Sequence, residues 1–233
     1  MAIAFDAASN SGIQTGSSFN WSHTFAGADL FGVVGVSILS VLGGMVSTVT
    51  VDGTPMTLIG AKTTVLANMR AELWGLIAPG TGTKTVEVTL NTALGSRAGA
   101  VSLTGVHQTT PTEDFASNDG TDTMNPQTAS VTVTTGTDND WIIDCVATDD
   151  GSITVGAGQD ERSNVTGMLG SGAMSTFGPK TQAGARAMTW TGIAALKTWV
   201  TVGTGIRPAT ADQAIRSRML HAHQRKRRFG RFR

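Results

Sequence analysis

Four histidines, one cysteine and three close-set groups of aspartate are the side chains here with chemistry to offer. His221 and His223 lie two apart, which on a helix turns them to different faces and makes a poor metal pair. His23 sits in the run Phe19-Asn20-Trp21-Ser22-His23-Thr24, where a strand would leave it on an exposed or interfacial side. His107 opens a polar stretch, and spacing alone selects no serine or acid to complete a nucleophilic set with any of the four. The pairs Asp119/Asp122, Asp138/Asp140 and Asp149/Asp150 could present oxygens to calcium, but none follows the twelve-residue EF-hand pattern. Aspartate and asparagine are also what β-turns demand on conformational grounds. Gly80-Thr81-Gly82-Thr83-Lys84-Thr85 looks like a phosphate loop, yet it lacks the contiguous Gly-Lys-Ser/Thr and leads into a strand instead of a helix. Cys145 lies in the apolar run Trp141-Ile142-Ile143-Asp144-Cys145-Val146, the setting of a buried, inert thiol. The expectation is a non-enzymatic chain with no catalytic residue, no cofactor and no metal.

Charge is more informative. Nine of the 17 Lys/Arg fall within residues 206–233, against one acid, Asp212. The preceding residues hold eight bases and sixteen acids, so the net charge of zero conceals a body near −8 and a tail near +8. Charge blocks of this kind are interaction tails more often than parts of a core. Arg216, Arg218, Arg225, Lys226, Arg227, Arg228, Phe229, Arg231, Phe232 and Arg233 are the candidate docking residues. Two partners fit them. Nucleic acid would be held by phosphate neutralisation, with the two phenylalanines stacking on bases. An acidic protein surface would accept the cations while the phenylalanines fill a pocket. An acidic body repels nucleic acid, so protein docking is preferred; a tail that only aids solubility is the third alternative.

The elements that must position these groups are short. Runs rich in Val, Ile, Thr, Phe and Trp are broken by Gly, Asp, Asn and Pro. Strands are predicted over 3–7, 18–25, 30–39, 46–51, 54–60, 70–78, 83–90 and 98–106. After a polar loop over 106–125 come 129–134, 141–148, 153–156, 166–174, 186–191 and 194–202. In the stretch from Thr85 to Leu90, Val86, Val88 and Leu90 should face inward. Asp52-Gly53 suits a type I′ hairpin turn. Many short strands with no interleaved helical period predict an all-β fold, an antiparallel, jelly-roll-like β-sandwich over 1–203. There is no strict sequence repeat, though the body splits loosely into two runs of strands on either side of the loop. Loops that long are usually functional or flexible, and this one holds several acids.

Residues 204–233 are expected to form a short helix and a basic arm. Thr210-Ala211-Asp212-Gln213 is a capping-box pattern, and Ala214, Ile215, Met219 and Ala222 follow at near-helical spacing. The apolar stretch 30–46 is rich in glycine and shorter than a membrane span, and the N-terminus has no basic, apolar leader pattern. No membrane association is expected.

The body resembles a β-sandwich module of tailed-bacteriophage structural proteins. The likeness covers about residues 3–160. It runs through Phe19–Thr24, Phe31-Gly32-Val33-Val34-Gly35-Val36-Ser37 and Val49-Thr50-Val51-Asp52-Gly53-Thr54-Pro55-Met56. It continues through Glu72-Leu73-Trp74-Gly75-Leu76-Ile77-Ala78-Pro79-Gly80 and Gly99-Ala100-Val101-Ser102-Leu103-Thr104. The resemblance implies a virion part made in the host cytoplasm: a capsid decoration or cement protein, a head fibre, or a tail or baseplate component. It implies capsid or tail subunits as partners and a homo-oligomer, with a trimer among the candidates. It carries over no active-site residue, and the basic arm lies outside it. The rival reading is a carbohydrate-binding adhesion module using some of Trp21, Trp74, Trp141, Trp190 and Trp199 as a sugar platform.

Overall fold

The computed structural model describes residues 2–39, 45–64, 69–121, 123 and 125–210. Within them the chain is all-β and every strand pairing is antiparallel. The first half contains β1 (Ala4–Gln14), β2 (Ser18–Phe25), β3 (Phe31–Ile38), β4 (Val46–Val51), β5 (Thr54–Pro55), β6 (Thr57–Thr63), β7 (Arg70–Ile77), β8 (Gly82–Leu90) and β9 (Ser96–Thr104). The second contains β10 (Thr112–Thr121), β11 (Gln127–Thr135), β12 (Trp141–Thr148), β13 (Thr154–Val155), β14 (Asp160–Gly167), β15 (Gly170–Phe177), β16 (Gly184–Ile193) and β17 (Thr198–Ile206).

The two halves have the same topology. The first forms an inner sheet ordered β1-β9-β3-β7-β6 and an outer sheet ordered β2-β8-β4-β5. The second forms an inner sheet ordered β10-β17-β12-β15-β14 and an outer sheet ordered β11-β16-β13. Reading β1 as β10, β2 as β11, β3 as β12, β4 as β13, and β6 through β9 as β14 through β17 turns one order into the other. Only β5 has no counterpart. Backbone details repeat as well. The turns entering β3 and β12 each place a residue at positive φ two positions before the strand, Asp29 (φ 50) and Asn139 (φ 67). Both are types that tolerate the left-handed region.

Apolar clusters set the layers in the order outer, inner, inner, outer. Along β3, Phe31 and Val33 point to the second half while Val34, Val36 and Ile38 point to the first outer sheet. Along β12, Trp141, Ile143, Cys145 and Ala147 face the first half, and Val146 faces the second outer sheet. A strand buried on both faces needs no polar alternation, which is why both segments read as nearly continuous apolar runs. The outer strands alternate: Val86, Val88 and Leu90 of β8 are buried while Glu87 is exposed, as their spacing predicts. Asp52 and Gly53 both take positive φ (46 and 77), as the hairpin turn requires.

The inner sheets meet as an internal twofold. β3 crosses β12; β7 on β12 is matched by β15 on β3, β17 on β7 by β9 on β15, and β10 beside β6 by β1 beside β14. At the centre, a side chain at Gly35 would run into Cys145 Sγ, 2.9 Å from where its Cβ would stand. Glycine is needed there because the two sheets approach so closely.

Four sequence expectations are corrected. The loop over 106–125 contains β10. The single strand over 166–174 is instead the hairpin of β14 and β15, turning at the exposed Met168 and Leu169. The strand over 54–60 divides into β5 and β6. The last strand lies at Thr198–Ile206, so the body runs past the boundary at 203. β10 and β14 are the two edges of their sheet and are rich in Asp, Glu and Asn. An edge strand with one solvated face carries no continuous apolar signal. The helix expected beyond Thr210 lies outside the described residues.

Candidate docking groove and polar clusters

Each side of the internal twofold ends in a seam where two sheet edges meet. At β1 and β14, the Arg162 guanidinium lies 3.8 Å over the Phe5 ring. At β6 and β10, Phe115 packs so closely over Gly60 that a Cβ there would collide with the ring. Lys62 Nζ stands 3.0 Å from Asp119 Oδ1 across the same seam. Above this second seam opens a cleft of about 530 Å³. Leu58 (43% exposed), Ile77 (37%) and Phe115 (36%) give it an apolar wall. Its charged lining is Glu113 and Asp114, with no lysine or arginine among the described residues that line it.

Glu113 links the groove to the end of the described chain. Arg207 Nε donates to its Oε2 at 2.8 Å, and Gly136 N–H donates to Oε1 at 2.8 Å. Asp140, fully buried at the start of β12, completes the cluster. Burial and the neighbouring Glu113 carboxylate push the Asp140 carboxyl up to about 6, against two hydrogen bonds from Thr137 that favour its charged form. Burial works to raise Glu113 also, but its bonds with Asp140, Gly136 and Arg207 prevail and lower it. The arrangement sets two carboxyls beside a guanidinium, suited to pinning β10, the turn before β12 and the chain exit together.

His23 is 2% exposed, which corrects the expectation of an exposed or interfacial side chain. Its Nδ1 lies 2.7 Å from Ser9 Oγ and its Nε2 lies 3.0 Å from Ser102 Oγ. Ser102 donates onward to Asp6 Oδ2 at 2.6 Å, so the imidazole Nε2–H must donate to Ser102. Burial lowers the histidine's basicity, opposed by Asp6, so the ring is neutral and Nδ1 accepts from Ser9. Ser9 in turn accepts the Trp21 Nε1–H at 3.0 Å. A serine on an imidazole is the pairing a nucleophile would use. Here both hydroxyls are tied into one directional chain that joins β1, β2 and β9.

A further buried acid was not singled out by sequence. Asp144 accepts from Ser175 N–H (2.8 Å), Ser175 Oγ–H (2.7 Å) and Trp190 Nε1–H (2.9 Å). Burial pushes its carboxyl up to about 6 even so. Cys145 is buried, and its thiol is pushed up to about 12 by burial, as suits an inert group.

The remaining sequence candidates serve turns. Asp149 accepts from Thr198 N–H, Asp150 from Ser152 and Ala194 N–H, and Asp138 from Ala183 N–H. Lys84 reaches Asp52 at 3.0 Å, and Asp52 also accepts Thr85 N–H, so the glycine-rich segment braces a hairpin. No group of three or more His, Cys, Asp or Glu among the described residues is placed to hold a metal. No helix among them is long and apolar enough to cross a membrane. Arg216, Arg218, Arg225, Lys226, Arg227, Arg228, Phe229, Arg231, Phe232 and Arg233 lie outside the described residues. Glu113, Asp114 and Phe115, which the structure brings to the groove, fall in the stretch predicted as a polar loop, whose acids and length are the available signal.

No family model matches the chain, and no curated protein matches it. A solved structure titled "anti-sigma factor domain-containing protein" aligns over 87% of this chain and 83% of its own, with 10% identity and a TM-score of 0.22. That likeness is too slight to bear on fold or function.

Proposed function

We propose that this chain is a non-enzymatic structural protein of a tailed-bacteriophage virion, a capsid decoration, cement or head-fibre part held by protein–protein contacts. The body is a jelly-roll-like β-sandwich whose inner and outer sheets close on apolar clusters. The observation that carries the proposal is the separation of charge: a body near −8 is joined to a segment near +8 that begins just past its last strand. A body that buries its polar groups in internal bonds, and a basic segment with two phenylalanines, together suit attachment better than turnover. A tail or baseplate position uses the same features. A sugar platform finds little support, since Trp74, Trp141, Trp190 and Trp199 are each under 10% exposed and only Trp21 is half-buried.

The test is sedimentation of purified protein with phage capsids and, separately, with tails that lack it. Saturable binding to one of them, weakened by deleting residues 224–233 and by raised salt, supports attachment through the arm. Absence of binding to either particle, for both full-length and truncated protein, would sink the proposal.

A further inference from the structure

We propose that the groove over the β6/β10 seam is the seat of this chain's own C-terminal segment, with Phe229 and Phe232 against Leu58, Ile77 and Phe115. The proposal goes beyond attachment to a partner and stands without it. Three observations carry it. First, the wall is built of large apolar side chains left more than a third exposed, although Phe31 and Ile59 of the first core cluster line the same cleft. Second, the charged residues lining the groove are Glu113, already paired with Arg207, and Asp114, whereas residues 225–233 hold six bases and no acid, with the two phenylalanines set among them. Third, the chain leaves the body beside the groove: Arg207 is bonded to the groove residue Glu113, and Thr204 also lines the cleft.

Reach favours the same molecule over a second copy. Phe229 lies 22 residues beyond Arg207. A segment of that length reaches at most about 75 Å, enough to return to the groove from the bonded Arg207 beside it. A tether in this range gives an effective concentration on the order of millimolar, well above that of a second copy in dilute solution. The segment would therefore be stowed on its own body, and any partner that takes the arm must displace it from the groove.

The experiment is limited trypsin digestion of the full-length protein, following cleavage within residues 225–228 by mass spectrometry. Cleavage of a docked segment tracks the fraction that is undocked. The wild-type chain should be cut at least about fivefold more slowly than a Phe229→Ala/Phe232→Ala double variant, whose changes lie outside the β body. Leu58→Glu, at an exposed position, should give the same acceleration with an unchanged thermal melt. Protection should not vary over a hundredfold dilution. Equal cleavage rates in all three proteins would overturn the proposal. So would protection that grows with protein concentration, because the occupant would then be a second copy's arm.

Discussion

The two halves of the body follow one topology and bury different things. Beneath the outer sheet of the first half lies an apolar layer: Val34, Val36, Ala98 and Ala100 meet Phe19, Val49, Val86 and Val88. The second half puts Asp144 where the first has Val34, each lying three residues into the strand that crosses the internal twofold. Its outer sheet has three strands against four, and Trp190 reaches across to the Asp144 carboxylate. A smaller sheet offers less area to bury, and directional bonds to one acid fix where it sits. What the halves keep in common is the face between them. Both halves thus bury apolar clusters beneath their outer sheets, and the second sets a saturated acid among them.

The largest effect should come from that shared face. Ile143→Ala, fully buried in the cluster contributed by both halves, should cost about 2–5 kcal/mol. Both halves should be lost in one transition, read by denaturant unfolding with fluorescence and far-ultraviolet dichroism. Two separated transitions in the wild type would mean that the halves are independent.

Asp144→Ala comes next. It strips a common acceptor from three buried donors and should cost about 3 kcal/mol, whereas Val34→Ala at the matching position removes only methyl groups. If the two variants melt alike, the polar contact does not hold the second outer sheet. Gly60→Ala should cost about 1–3 kcal/mol by forcing a Cβ into Phe115, loosening the seam without touching either outer core.

The smallest effect is on pH dependence. Asp140 and Asp144 both titrate near 6 when folded, above the ordinary 3.8. Between about pH 4 and 6 the unfolded chain gives up these protons while the folded chain retains them, so their contribution to stability falls as pH rises through that window. His23 works oppositely: its folded pKa is lowered, so stability is lost as pH falls below 6.5. Glu113 is also lowered, and its contribution fades only as acid protonates it below 4.5. Asp144→Asn removes one term. The stability gap between wild type and this variant should narrow from pH 4 to pH 7, as measured by urea midpoints; a constant gap would contradict the assignment.

What the sequence shows of this fold follows from burial. β2, β4 and β12 have the bounds their patterns predict, because each is either alternating or apolar throughout. β10 and β14 were missed, since edge strands such as Thr112–Thr121 satisfy one ladder and leave the rest to water. The duplication was visible only as two runs of strands. Val34 against Asp144 and Gly35 against Cys145 show how far matched positions differ, and topology tolerates such differences because it depends on which faces are buried. The groove was illegible for a related reason. Leu58 and Ile77 come from the paired strands β6 and β7 and Phe115 from β10 of the other half, so the groove forms only when the halves pack.

The most direct test of the two-half account is to produce residues 1–106 alone and determine their mass in solution. The face this fragment would expose, including Phe31, Val33, Leu73, Val101 and Leu103, is one that already packs against its own topological equivalent. Such a face is self-complementary in kind. Sedimentation equilibrium should therefore give a β-rich dimer, and Val33→Asp should abolish it. A folded monomer that stays monomeric at high concentration would show that the shared face is not needed, and would contradict the account.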